Sequence, residues 1–164
     1  MGIRCSVCGK EHVDTLPDLG LYAPDPYLAV PPEERDERTT FTEDLCTVRD
    51  EDGTHYFVRG VIYIPIIGQR KRFGIGAWVS QSRENFDRYY SRTRRSPPTY
   101  GWLVNRIPHY AESTLLLKAR LVHQGKNLRP WIELEPTDHP LAVDQRTGIT
   151  LARAWQIVHR YLPN

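Results

Sequence analysis

The chain is poor in sulfur. Its 164 residues include three cysteines and one methionine. An odd cysteine count excludes a fully paired disulfide framework and fits a reducing compartment. No run approaches the ~20 consecutive apolar residues of a membrane-spanning helix. No apolar stretch near the start reads as a signal peptide, so the expected location is the cytoplasm, with no membrane partner. Charge of one sign is also scarce. A formal net charge of +2 is too small to point to nucleic acid. The short catalytic signatures are missing as well: there is no G-x-S-x-G elbow, no H-E-x-x-H and no phosphate-cradling glycine loop. The GIG at residues 74–76 lacks the full dinucleotide fingerprint and the helix that should follow it. No internal repeat or low-complexity tract is present. A single domain over 1–164 is expected, long enough to bury roughly 70% of its unfolded surface.

The few cysteines are placed with purpose. Cys5 and Cys8 form a C-x-x-C pair, followed by Gly9 and His12, and Cys46 stands alone farther on. C-x-x-C lets one tight turn present two thiolates to one ion. Gly9 can supply the positive φ such a turn needs, and His12 is close enough to fold back as a third ligand. With Cys46 returned by the intervening chain, Cys5, Cys8, His12 and Cys46 make a closed Cys₃His shell for Zn²⁺. No position is left for a substrate water, so the ion's expected role is structural. Two rival readings are a redox pair, which lacks the βαβ pattern around it, and plain buried thiols.

Residues 1–20 are the expected zinc-knuckle segment and 21–164 an α+β body. After an acidic, proline-rich stretch with a short helix at EERDER, the pattern turns to strands. LCTVR, HYFVRGVIYIPI and FGIGAWVS are expected strands, the second alternating with period two. Ser82 is expected to cap a helix over 82–93. STLLLKARLVH and RPWIELE form a hairpin, and one register sets Arg120 opposite Glu133 and Lys118 opposite Glu135. TDHPLAVDQRTG reads as irregular, with room for one helical turn. Thr150 caps a last helix carrying Leu151, Ala154, Trp155, Val158 and Leu162 at helical spacing. The expected fold is an antiparallel sheet with helices packed on one face.

CSVCGKEH, DLC, FVRGVIYIPI, FGIGAWVS, YGWLVNRIP and IELEPTDHPLAVDQRTGI together resemble a bacterial family, domain-of-unknown-function family 2199. The resemblance runs from residue 4 to about residue 160. It implies no particular chemistry, because that family has no established activity. It does imply that Cys5, Cys8, His12 and Cys46 belong together, since all lie in its landmark stretches. The family tends to tryptophan where this chain has Ile75, a departure that weighs against an aromatic surface at that spot.

The densest polar stretch holds Asp138, His139, Asp144, Gln145 and Arg146. His139 beside Asp138 or Asp144 could serve as acid and base in a hydrolase, with Arg146 on an anion; tying down turns and capping a helix is the plainer use. Gly74, Gly76, Trp78 and Ser80 share one strand face and leave room for a ligand or another backbone. Arg59, on a face with Phe57, Val61 and Tyr63, needs a carboxylate if buried. Three functions follow. The first is a zinc-stabilised binding or regulatory module acting through protein contacts. The second is a hydrolase-type enzyme, which requires a deep pocket gathering His139, Asp144, Arg59 and Trp78. The third is a nucleic-acid binder, which requires Arg70, Lys71, Arg72 and Arg88 in one continuous patch. A small-molecule ligand is compatible with the first two.

Overall fold

The computed structural model describes residues 3–12 and 16–161. In chain order the strands are β1 (Ile3–Arg4), β2 (Glu11–His12), β3 (Leu19–Gly20), β4 (Thr39–Phe41), β5 (Leu45–Asp50), β6 (Gly53–Pro65), β7 (Arg72–Gln81), β8 (Thr99–Trp102), β9 (Lys118–Val122) and β10 (Trp131–Leu134). The α-helices are α1 (Asp25–Leu28), α2 (Arg35–Arg38), α3 (Arg83–Asp87), α4 (Pro140–Thr147) and α5 (Leu151–Tyr161), with 3₁₀ turns at Pro32–Glu34 and Tyr89–Ser91. The fold is α+β.

The backbone of the molecule is the β6–β7 hairpin. Val58, Ile62 and Ile64 on β6 and Phe73, Ile75, Ala77 and Val79 on β7 all point inward, as period-two alternation demands. From β6 the sheet continues through β10 and β9 to β8. Strand β8 then returns to β7: Leu103 bridges Val79, the Val104 amide donates to the Trp78 carbonyl at 2.9 Å, and the Trp102 amide donates to Ser80 Oγ at 3.0 Å. The sheet therefore curls into a closed ring. Gly101 is needed at the seam, because a Cβ there would overlap the Ser80 carbonyl. Gly60 serves the crossing of β6 and β10, where a Cβ would stand 2.7 Å from Ile132 Cγ1. The sheet is mixed rather than wholly antiparallel: β10 runs parallel to β6, and β3 parallel to β7.

The ring encloses the main core, onto which α4 sends Leu141 and Ala142, and α5 sends Ala154, Ile157 and Val158. A second, smaller cluster lies on the other face of β5–β7 and joins Val30, Cys46, Val48, Phe57, Trp78 and Val104. Each large apolar side chain so buried stabilises by about 1.5–3 kcal/mol.

Several local expectations hold. Arg120 faces Glu133 in the β9–β10 ladder, with an ion pair at 2.6 Å, and the Glu135 amide reaches the Lys118 carbonyl at 2.9 Å. Ser82 Oγ accepts from the Asn85 amide at 3.1 Å, and Thr150 Oγ1 from the Arg153 amide at 3.2 Å. Leu162 lies outside the described residues. Three expectations fail. The segment from Ser113 to Leu117 is not strand: Leu116 takes φ 64°, and the Leu117 amide turns back to the Thr114 carbonyl. The helix expected over 82–93 tightens after Asp87 into the 3₁₀ turn, where Ser91 Oγ donates to the Arg88 carbonyl at 2.8 Å. The stretch read as irregular is the regular helix α4, opened by His139 and Pro140 and closed by Gly148 at φ 83°.

Candidate metal centre

The first strands bend the chain into a small hairpin, with Ile3 paired to His12 and Arg4 to Glu11. Between them lies the turn that C-x-x-C-G implies. The Gly9 amide donates to the Cys5 carbonyl at 2.9 Å, the Cys5 amide to the Lys10 carbonyl at 2.8 Å, and Gly9 adopts φ 70°. A Cβ at that φ would be strained, which is why glycine follows the second cysteine. The Val7 amide points at Cys5 Sγ, 3.4 Å away. Burial pushes the Cys5 thiol up, but the amides of Cys8 and Val7 and the Cys8 side chain outweigh it, and the thiol sits below its ordinary value. Amides directed at sulfur favour the thiolate, the form that binds metal.

The fourth donor comes from the far end of the chain. His159, on the last turn of α5, places Nε2 2.9 Å from His12 Nε2 and 3.6 Å from Cys8 Sγ. Cys8 Sγ is 3.1 Å from His12 Nε2. One donor atom from each of Cys5, Cys8, His12 and His159 lies within 4.8 Å of all the others, a group that could hold a metal ion. The hairpin is fixed to α5 by two further contacts. The His12 ring stacks on Trp155 with centroids 4.0 Å apart and planes 12° apart, and Gln156 Nε2 donates to Ser6 Oγ at 3.0 Å.

Cys46 is not part of this group. It sits on β5 opposite Phe57, fully buried among Val30, Val48 and Trp78. Burial without a compensating charge pushes its thiol up to about 12, so it remains protonated and inert. The group of donors that could hold an ion thus has His159, and not Cys46, as its fourth member. The residue missed carried a weak signal: a histidine four places after Trp155, on the polar edge of an amphipathic helix.

The polar stretch around α4 is spent on structure. His139 caps α4, with Nδ1 accepting from the Leu141 amide at 3.1 Å and Nε2 at 3.1 Å from the Ser113 carbonyl, so both ring nitrogens are engaged. Asp144 is buried and accepts from Tyr110 Oη at 2.7 Å and from Arg153 at 2.8 and 2.9 Å. Arg146 donates to the Thr137 carbonyl at 2.8 Å, and Asp138 is exposed. Gln145 accepts from the Leu134 amide at 2.8 Å and donates to the Ile132 carbonyl at 2.7 Å, standing in for a neighbouring strand beside β10. The space beside Gly74 is filled by the Asp18 carboxylate and that beside Gly76 by β3. Arg59 covers Gly20 and leans over Trp78, whose Nε1 donates to the Leu21 carbonyl at 3.1 Å. Burial, then the neighbouring Arg129, lowers the Arg59 pKa.

The basic residues do not form one surface. Lys71 Nζ donates to the Leu16 carbonyl at 3.0 Å, and Arg88 pairs with Glu84 at 3.3 Å. Arg72 lies opposite Pro65, whereas α3 packs through Phe86 on Tyr56. Those two points are about 30 Å apart along β6 at the rise of a strand.

No curated protein and no solved structure matches the chain. A family model matches residues 4–149, a span that takes in Cys5, Cys8 and His12 and ends before His159. The chain belongs to the family described as uncharacterized proteins conserved in bacteria, DUF2199.

Proposed function

We propose that the protein is a binding or regulatory module that acts through protein contacts, and that Zn²⁺ held by Cys5, Cys8, His12 and His159 fastens its two ends. The donor spacing supports this. With zinc–sulfur bonds near 2.3 Å and zinc–nitrogen bonds near 2.0–2.1 Å, a tetrahedron separates two nitrogens by about 3.3 Å, sulfur from nitrogen by about 3.6 Å and two sulfurs by about 3.8 Å. The corresponding distances here are 2.9 Å between the imidazoles and 3.1 and 3.6 Å from Cys8 to them. Four protein donors close the shell, which suits a structural ion. His139 is occupied in a helix cap and Asp144 in an ion pair, which favours binding over catalysis. The neighbouring Trp102, Leu115 and Leu116 supply an exposed apolar edge, at 44%, 40% and 66% of full exposure, for a protein partner.

Metal analysis of the purified full chain tests the ion. One zinc per chain is expected, reduced by Cys5→Ser or His159→Ala and unchanged by Cys46→Ala. A metal-free folded protein refutes it. Mixing with the partner then tests the contact, and binding unchanged by Trp102→Ala and Leu116→Ser removes this edge from the reading.

A further inference from the structure

The outer face of the sheet carries a cleft of about 740 Å³, with Tyr63, Arg72 and Trp131 on one side and Tyr100, Lys118 and Arg146 among its other lining residues. This volume is within the ~300–1,000 Å³ of small-molecule sites. The lining combines flat rings with unneutralised cations. Arg72 Cζ lies 4.3 Å from the Tyr63 ring centroid and 4.6 Å from that of Trp131, and the two rings meet nearly at right angles, 80°. A guanidinium stacked this way keeps its N–H edge free for an oxyanion. Among the described residues, Arg72, Lys118 and Arg146 form no ion pair with a carboxylate, whereas Arg120 is neutralised by Glu133 at 2.6 Å. Four cations and two carboxylates, Glu133 and Glu135, line the cleft. The complementary occupant is therefore anionic and carries a flat ring.

We propose that this cleft binds a nucleotide, the base on the Tyr63–Trp131–Tyr100 surface and the phosphate on Arg72 with Arg146 or Lys118. A base has a π-face for any of these rings, and its phosphate matches the fork of an arginine. The site is separate from the metal centre and does not depend on which ion that centre holds. The same chemistry is offered by a free nucleoside monophosphate and by a single strand.

The test uses the full chain with its metal content measured on each sample. AMP, an adenylate ten-mer and inorganic phosphate are titrated while tryptophan fluorescence is followed, with Trp131→Phe as the control that identifies the reporting ring. The expected result is saturable quenching by AMP that is lost as a signal in Trp131→Phe. Arg72→Gln, an exposed position, should weaken binding tenfold or so, and Trp131→Ala, followed by titration calorimetry because it lacks the reporting ring, roughly 5- to 150-fold, from about 1–3 kcal/mol per stacked base. Equal affinity per nucleotide for AMP and the ten-mer identifies the free nucleotide as the occupant. Gain with length and a steep salt dependence identifies a strand. Absence of saturable binding by either, phosphate alone matching AMP, or affinity unchanged in Arg72→Gln overturns the proposal.

Discussion

Stripping the metal should release the N-terminal hairpin while leaving the closed sheet folded. Ordering the eight residues Cys5–His12 costs about 8–16 kcal/mol at about 1–2 kcal/mol of backbone entropy each. Without metal, little opposes that cost. Cys5 is buried, but the hairpin's other side chains from Arg4 to His12 are exposed or half-buried. The His12–Trp155 stack contributes about 0.5–1.5 kcal/mol and the exposed Gln156–Ser6 hydrogen bond about 0.5–1.5 kcal/mol. A structural zinc supplies about 10–16 kcal/mol, which is the size of the deficit. The main core draws on residues from Leu16 onward, so it does not depend on the ion. Hydrogen exchange measures both parts at once. The amides of Cys5 and Gly9, bonded at 2.8 and 2.9 Å within the turn, should lose protection on adding a strong chelator, while β6 and β7 keep theirs. His159→Ala should reproduce this with no chelator. Protection of Cys5 and Gly9 that survives chelation would refute the reasoning.

At the seam of the sheet, Gly101→Ala drives a methyl into the Ser80 carbonyl, backbone that cannot rotate away, and should cost at least the ~1–3 kcal/mol of overpacking; Gly76→Ala, whose methyl would stand 3.4 Å from Gly20 Cα, should change denaturant stability by less than about 1 kcal/mol. Tyr110→Phe removes the 2.7 Å donor to buried Asp144 and should cost about 1.5–3 kcal/mol in urea unfolding; no loss would mean that Arg153 alone satisfies the carboxylate. Burial, then Arg92, holds His123 below its ordinary 6.5. The unfolded chain therefore takes up that proton first, and the stability contribution is complete above pH 6.5 and lost as pH falls toward the folded value. His123→Asn should flatten the fall in melting temperature below pH 6.5 relative to the parent chain, and an unchanged profile would assign the fall elsewhere.

The parts of the fold that could be read in advance are those decided by local pattern. Alternation in HYFVRGVIYIPI and FGIGAWVS announces the central hairpin because each residue's face follows from its parity. The Arg120–Glu133 register follows because slipping by one residue would turn Ala119 and Leu121 out to water. Other features depend on what arrives from elsewhere. The parallel pairing of β10 with β6 and the return of β8 to β7 are closures between distant segments, and only Gly60 and Gly101 mark them. Helix α4 was hidden because its cap is a histidine rather than Ser, Thr, Asp or Asn, although Pro140 and Gly148 bracket it as proline and glycine do.

The metal site divides along the same line. Cys5, Cys8, Gly9 and His12 declare themselves because the turn that joins them is only eight residues long. The fourth donor had to come from elsewhere, and thiol chemistry made Cys46 the natural candidate. Strand parity decides against it. On β5 the buried positions are Cys46 and Val48, which lie on the same face of the sheet as Phe57 and Trp78 and join them in the second core. A thiol there can leave the second core only by turning its strand over, which would expose Val48 with it. A helix end carries no such penalty. His159 lies on the last turn of α5, two residues from the chain's last described position, and Ile157 and Val158 are already anchored in the main core. Core packing therefore positions the imidazole beside the hairpin on its own, and an ion bound there would need only to gather a turn that is otherwise too short to hold itself.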